Sequence, residues 1–283
     1  MVEEDPSSMS LRPGKTAENS DGMAESTNDR TRDKPAAMEN KEDLTGFNVI
    51  YTVTQATGAL LVLLVLIWCD KYRGGFAWAQ PASRFNWHPL LMTVGMVFLF
   101  ANSIMIYRGL RSMRKKQLKL VHAGTHSVIV VMILIAQIAV ISFHNQLNIP
   151  NFYSLHSWLG ILTMLIFFFQ YALGLVAFLF PGLSAPVRAA MMPYHIYFGI
   201  TAFVLAIATS LMGVTEKVFF VLDKPEMPAD QKYSSLPAEG VLVNVIGMLF
   251  AIFGILVVYM VTHAGYKRYP RPEDNVLLTG VSE

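Results

Sequence analysis

The chain has 283 residues, 53% of them hydrophobic and only 15% charged, with a formal net charge of +2. That balance excludes a soluble globular domain of ordinary composition. A single cysteine, Cys69, excludes an internal disulfide, an iron–sulfur cluster and a cysteine-based zinc site.

Residues 1–46 carry eleven of the twenty acidic residues and show no apolar period. Such a segment buries too little apolar surface to order itself, so a disordered acidic tail is expected. It lacks the apolar core of a signal peptide. Six apolar runs follow, near 48–68, 88–107, 120–142, 155–180, 194–214 and 241–262. Each is about 20 residues or longer, enough to cross a hydrocarbon core of roughly 30 Å as a helix. The expected fold is therefore all-α, with a six-helix membrane domain over 47–265 and a short tail over 266–283.

Basic residues set the orientation. The connection after the second run, "YRGLRSMRKKQLKL", holds six basic residues and no acid, and the segment after the sixth reads "YKRYPRP". Both are expected in the cytosol, which with six crossings puts both termini there. Connections 69–87, 143–154 and 215–240 then face the lumen or the outside. All four tryptophans, Trp68, Trp78, Trp87 and Trp158, fall near that outer boundary, as an interfacial belt does.

Seven histidines remain to be explained, and an imidazole in hydrocarbon is costly without a partner. Four of them fit one plan. His88 and His156 lie at the outer ends of the second and fourth runs. His122 and His195 lie at the inner ends of the third and fifth. Two neutral imidazoles facing each other across a bundle are what a six-coordinate haem iron needs, so runs two to five make a four-helix haem-binding core. His126 lies four residues after His122 on the same helix face, and either can serve the inner site. His122 is preferred because "AG" follows it and leaves room for a flat ring, with His126 as a supporting neighbour. The rival reading is a histidine-lined zinc or proton transporter without haem. It is weakened by the absence of carboxylates within runs two to five.

The stretches "YRGG", "FNWHPLLM", "VHAG", "YSLHSWLG", "MPYHIYFG", "LMGVTEK" and "PAEGVLVNVIG" run in order from Tyr72 to Gly247. Together they resemble the cytochrome b561 family of ascorbate-dependent transmembrane oxidoreductases, and are most similar to its duodenal-type and lysosomal-type ferric reductases. The resemblance implies two haem b per chain, one on His88 and His156 and one on His122 and His195. It implies cytosolic ascorbate as donor, bound by Arg108, Lys115, Lys119 and Arg188. It implies an outer acceptor, a ferric iron chelate or monodehydroascorbate, beside His144, Tyr153 and Asn86. A homodimer is implied as well, and no nucleic-acid partner is expected. Finally, "EDNVLL" near the C-terminus has the spacing of an acidic dileucine signal. It suggests a late endosomal or lysosomal membrane, with secretory vesicles and the plasma membrane as alternatives.

Overall fold

The computed structural model describes residues 44–180 and 183–269. Most of the acidic segment and the dileucine-like motif lie outside the described residues. Six helices are long and apolar enough to cross a membrane: α1 Phe47–Tyr72, α2 Pro81–Gly109, α3 Lys115–Gln146, α4 Leu155–Leu179, α5 Ala185–Leu222 and α6 Ala238–Thr262. The protein is an all-helical, multi-pass membrane protein, with no strand among the described residues.

The helices overrun the apolar runs that announced them. Hydropathy marks only the part inside hydrocarbon. The backbone beyond it still satisfies its hydrogen bonds most cheaply by continuing the helix. So α5 already begins at Ala185 and puts Arg188 in its first turn rather than in a loop. It runs on through Pro193, which cannot return a hydrogen bond to Ala189. Likewise α2 starts at Pro81, a residue preset for a first helical turn. His88 is therefore well inside α2, not at its end as expected. From Thr93 to Leu99 α2 is π-helical. That wider turn shifts the register of the side chains that follow.

Packing pairs α1 with α6, α2 with α3, α4 with α5 and α5 with α6. The second span is the most buried of the six. The core is aromatic, with Phe100, Phe167, Phe203, Phe250 and Phe253 all buried. Close approach of α1 depends on Gly58, where a Cβ would lie 2.6 Å from Phe253 and 2.7 Å from Phe98.

Each end of the bundle has its own tie. At the end away from the basic loop, Trp68 Nε1 donates to Glu239 Oε1 at 2.8 Å, and Arg73 Nη2 donates to Glu239 Oε2 at 2.6 Å. This joins the end of α1 to the start of α6. Trp68 is thereby buried in an ion-pair network instead of joining an interfacial belt. Only Trp78 and Trp158 are exposed enough for that role. At the basic end, Arg108 donates to the carbonyls of Val261 and His263, both at 2.5 Å. The Val261 carbonyl is one that the end of α6 leaves without a helical donor.

Candidate functional site

The histidines meet in two pairs. His88 of α2 faces His156 of α4 with ring centres 6.2 Å apart and planes at 88°. His122 of α3 faces His195 of α5 at 6.3 Å and 75°. Two imidazoles on opposite sides of one metal, each bound through nitrogen at about 2 Å, place their ring centres about 6 Å apart. Both pairs have that spacing. Closer rings would leave no room for a metal between them, and wider ones could not both reach it.

Local contacts aim two of these rings. The Nδ1 of His156 lies 2.9 Å from the Thr209 carbonyl, and the ring rests on Gly213, where a Cβ would fall 2.6 Å from His156 Cε1. The Nδ1 of His122 lies 2.9 Å from the Ser103 carbonyl and 3.0 Å from its hydroxyl. In each case a backbone carbonyl engages one nitrogen and leaves Nε2 for a ligand, as metal-bound histidines generally arrange. His195 has Phe178 at 5.2 Å and Gly174 against its edge. His88 has no hydrogen-bond partner for Nδ1 among the described residues.

A cavity of about 490 Å³ opens between His88 and His156. That lies within the roughly 300–1,000 Å³ of cofactor and small-molecule sites. His144, Tyr153 and Glu216 border it, as does Lys217. Tyr153 keeps its proton to higher pH than a free phenol, because of its partial burial and then the Glu216 carboxylate. Asn86 is not part of this border. It is buried, and its amide nitrogen donates to the carbonyls of Arg73 at 2.9 Å and Gly75 at 2.7 Å. Through these bonds it ties the loop after α1 to α2.

At the basic end Lys119 donates to the Phe178 carbonyl at 3.3 Å, with Lys115 and Arg188 as its electrostatic neighbours. These three cations form one group beside the His122–His195 pair. Arg108 gives two of its five N–H groups to carbonyls at the end of α6 and keeps the others.

The comparisons with known proteins bear on this geometry. Residues 87–221 match the family described as eukaryotic cytochrome b561, a stretch that contains all four paired histidines. The plasma membrane ascorbate-dependent reductase CYBRD1 of Xenopus laevis is 42% identical over 224 residues, covering 78% of this chain and 77% of that protein. The human transmembrane ascorbate-dependent reductase CYB561 is 39% identical over 224 residues, covering 79% of this chain and 86% of that protein. The chain belongs to the cytochrome b561 family.

In this member of the cytochrome b561 family one further feature went unread in the sequence. Lys217 fell in the connection 215–240, yet it lines the cavity with its ammonium 3.8 Å above the Phe85 ring. Its signal was a base next to Glu216 inside what proves to be a membrane helix. His126 was expected beside the inner pair, and its ring is 4.5 Å from His122. It is also buried against Phe100 and Phe167, both at 5.3 Å, so it reaches toward the middle of the bundle. Gly124 is exposed, and a Cβ added there would meet nothing within 4 Å. The contacts of Ser103 on His122 favour it over His126. Among the described residues no three of His, Cys, Asp and Glu converge as a metal site.

Proposed function

We propose that the protein moves single electrons across a membrane, from ascorbate at the basic end to a ferric iron chelate or monodehydroascorbate at the other. In this reading His88 and His156 hold one haem b, and His122 and His195 hold a second. Haem, when bound, would supply a one-electron iron couple, and two histidines holding each one would suit electron transfer rather than oxygen binding.

The residues of the chain do the rest. The carbonyls of Thr209 and Ser103 fix the tautomers of His156 and His122 and so point Nε2 inward. Lys119, Lys115 and Arg188 suit an ascorbate monoanion, which needs cations and donors around its ring oxygens. Arg188 keeps N–H groups for this after giving one to the Leu183 carbonyl at 2.9 Å. At the far end His144 offers an imidazole nitrogen, and the protonated Tyr153 phenol can donate a hydrogen bond to an acceptor. Between the two levels the bundle is filled with Phe100, Phe167 and His126 packed edge to face, which excludes water from the interior.

The observation that carries the reading is the repeated 6.2 Å and 6.3 Å imidazole spacing on alternate helices. The naming of the relatives as ascorbate-dependent reductases supports the donor. The basic loop supports a cytosolic donor side with both termini in the cytosol. A late endosomal, lysosomal or secretory-vesicle membrane is the proposed location, with the plasma membrane, named for the frog relative, as the alternative. A homodimer completes the reading.

The direct test uses vesicles that contain the purified protein, loaded with ascorbate and given ferric citrate outside. Reduction of iron that depends on internal ascorbate is expected, and Lys119→Ala should raise the ascorbate concentration needed several-fold. Equal reduction by vesicles without the protein, or by vesicles without ascorbate, contradicts the proposal. Replacing ferric citrate by monodehydroascorbate distinguishes the two acceptors.

A further inference from the structure

We propose that Lys217 is a carboxylate-binding residue of the cavity between His88 and His156. This rests on the reading that a haem sits in that cavity and that an acceptor approaches from its open side.

An ammonium inside a membrane helix is costly unless something compensates its charge. Among the described residues Lys217 forms no ion pair and no hydrogen bond. Each acid near it is unsuited or already used. Both oxygens of Glu239 are taken by Trp68 and Arg73. Glu216 is the adjacent residue, and neighbours one apart on a helix do not face each other. What holds the ammonium is aromatic: it lies 3.8 Å from the centre of Phe85 and 5.5 Å from that of Phe143. A cation over ring faces keeps its charge and its donors while losing water. The charges acting on it are Arg73 and Lys224, of its own sign, and Glu239, whose carboxylate Arg73 already engages.

Lys217 lines the same cavity as His88, His156, His144 and Tyr153. An unpaired ammonium with three donors, at the wall of a cavity with aromatic sides, is suited to a carboxylate. Two sources can bring one there. The first is a carboxylate side arm of the haem held between His88 and His156. The second is the acceptor, if it arrives as an anionic chelate such as ferric citrate. The chemistry at Lys217 is the same for both.

The experiment compares wild type, Lys217→Met and Lys217→Arg as full-length protein carrying its haems. The first readout is a potentiometric titration of the haem that His156→Ala removes. The second is the KM for ferric citrate set against that for cationic hexaammineruthenium(III), with ascorbate as donor. If the haem supplies the carboxylate, Lys217→Met lowers that midpoint potential, since loss of a cation favours the oxidised iron, and Lys217→Arg restores it. If the acceptor supplies it, the potential holds and the KM for ferric citrate rises several-fold more than that for the ruthenium cation. Wild-type potential together with wild-type charge preference in Lys217→Met overturns the proposal. Should Lys217→Met fail to keep its haems, Lys217→Gln gives the same comparison with a polar tip retained. Wild-type protein that binds no haem would instead sink the underlying functional reading.

Discussion

Gly213 lacks a side chain where His156 needs the space. A methyl group there would lie 2.6 Å from Cε1 and 2.9 Å from Nδ1 of the imidazole, well inside contact distance. The same ring is held by the Thr209 carbonyl one helical turn earlier, so it cannot simply slide away. Gly213→Ala should therefore cost most of the haem at the His88–His156 level and spare the other, read as haem content and as loss of one reduction step. Unchanged haem content would mean that the ring has freedom these contacts deny it. A second residue-scale test separates His122 from His126. His122→Ala should remove one haem, whereas His126→Phe, which preserves an aromatic ring among Phe100 and Phe167, should retain both. The sequence spacing left these two histidines equivalent. The hydrogen bonding of His122 Nδ1 with Ser103, nineteen residues away, and the facing of His122 and His195 distinguish them.

The six crossings were legible because hydrocarbon imposes about 20 apolar residues on any helix that spans it. Helix ends were not, because a polar residue is as content in a helical turn outside the lipid as in a loop. Arg188 and Asn86 show the consequence: both were assigned to connections, and both lie in helices. Ties between elements were equally hidden, since Arg73 and Glu239 are far apart in sequence and each reads alone as a loop or helix-end charge. Their contact is buried, with side chains 22% and 7% exposed, and removal of one partner leaves the other as an uncompensated charge. Glu239→Ala should lower stability by about 3 kcal/mol, a value typical of a broken buried pair. Thermal unfolding in detergent reads this as a lower midpoint. A midpoint like that of wild type would show that water reaches Arg73 once the acid is gone.

For the molecule as a whole, the pairing of helices two with four and three with five was the sequence expectation, because alternate helices enter from opposite sides. Separation across the bundle was not legible, because it depends on how α2 meets α4 and how α3 meets α5. The structure supplies 6.2 Å and 6.3 Å for those two gaps, and every functional proposal here depends on them. The most direct measurement is a haem count and potentiometric titration of the purified protein and of His156→Ala and His195→Ala. The account predicts two haems per chain, two low-spin ferric centres, and the loss of a different one in each variant. Fewer than two haems in the wild type, or loss of the same centre in both variants, would contradict it.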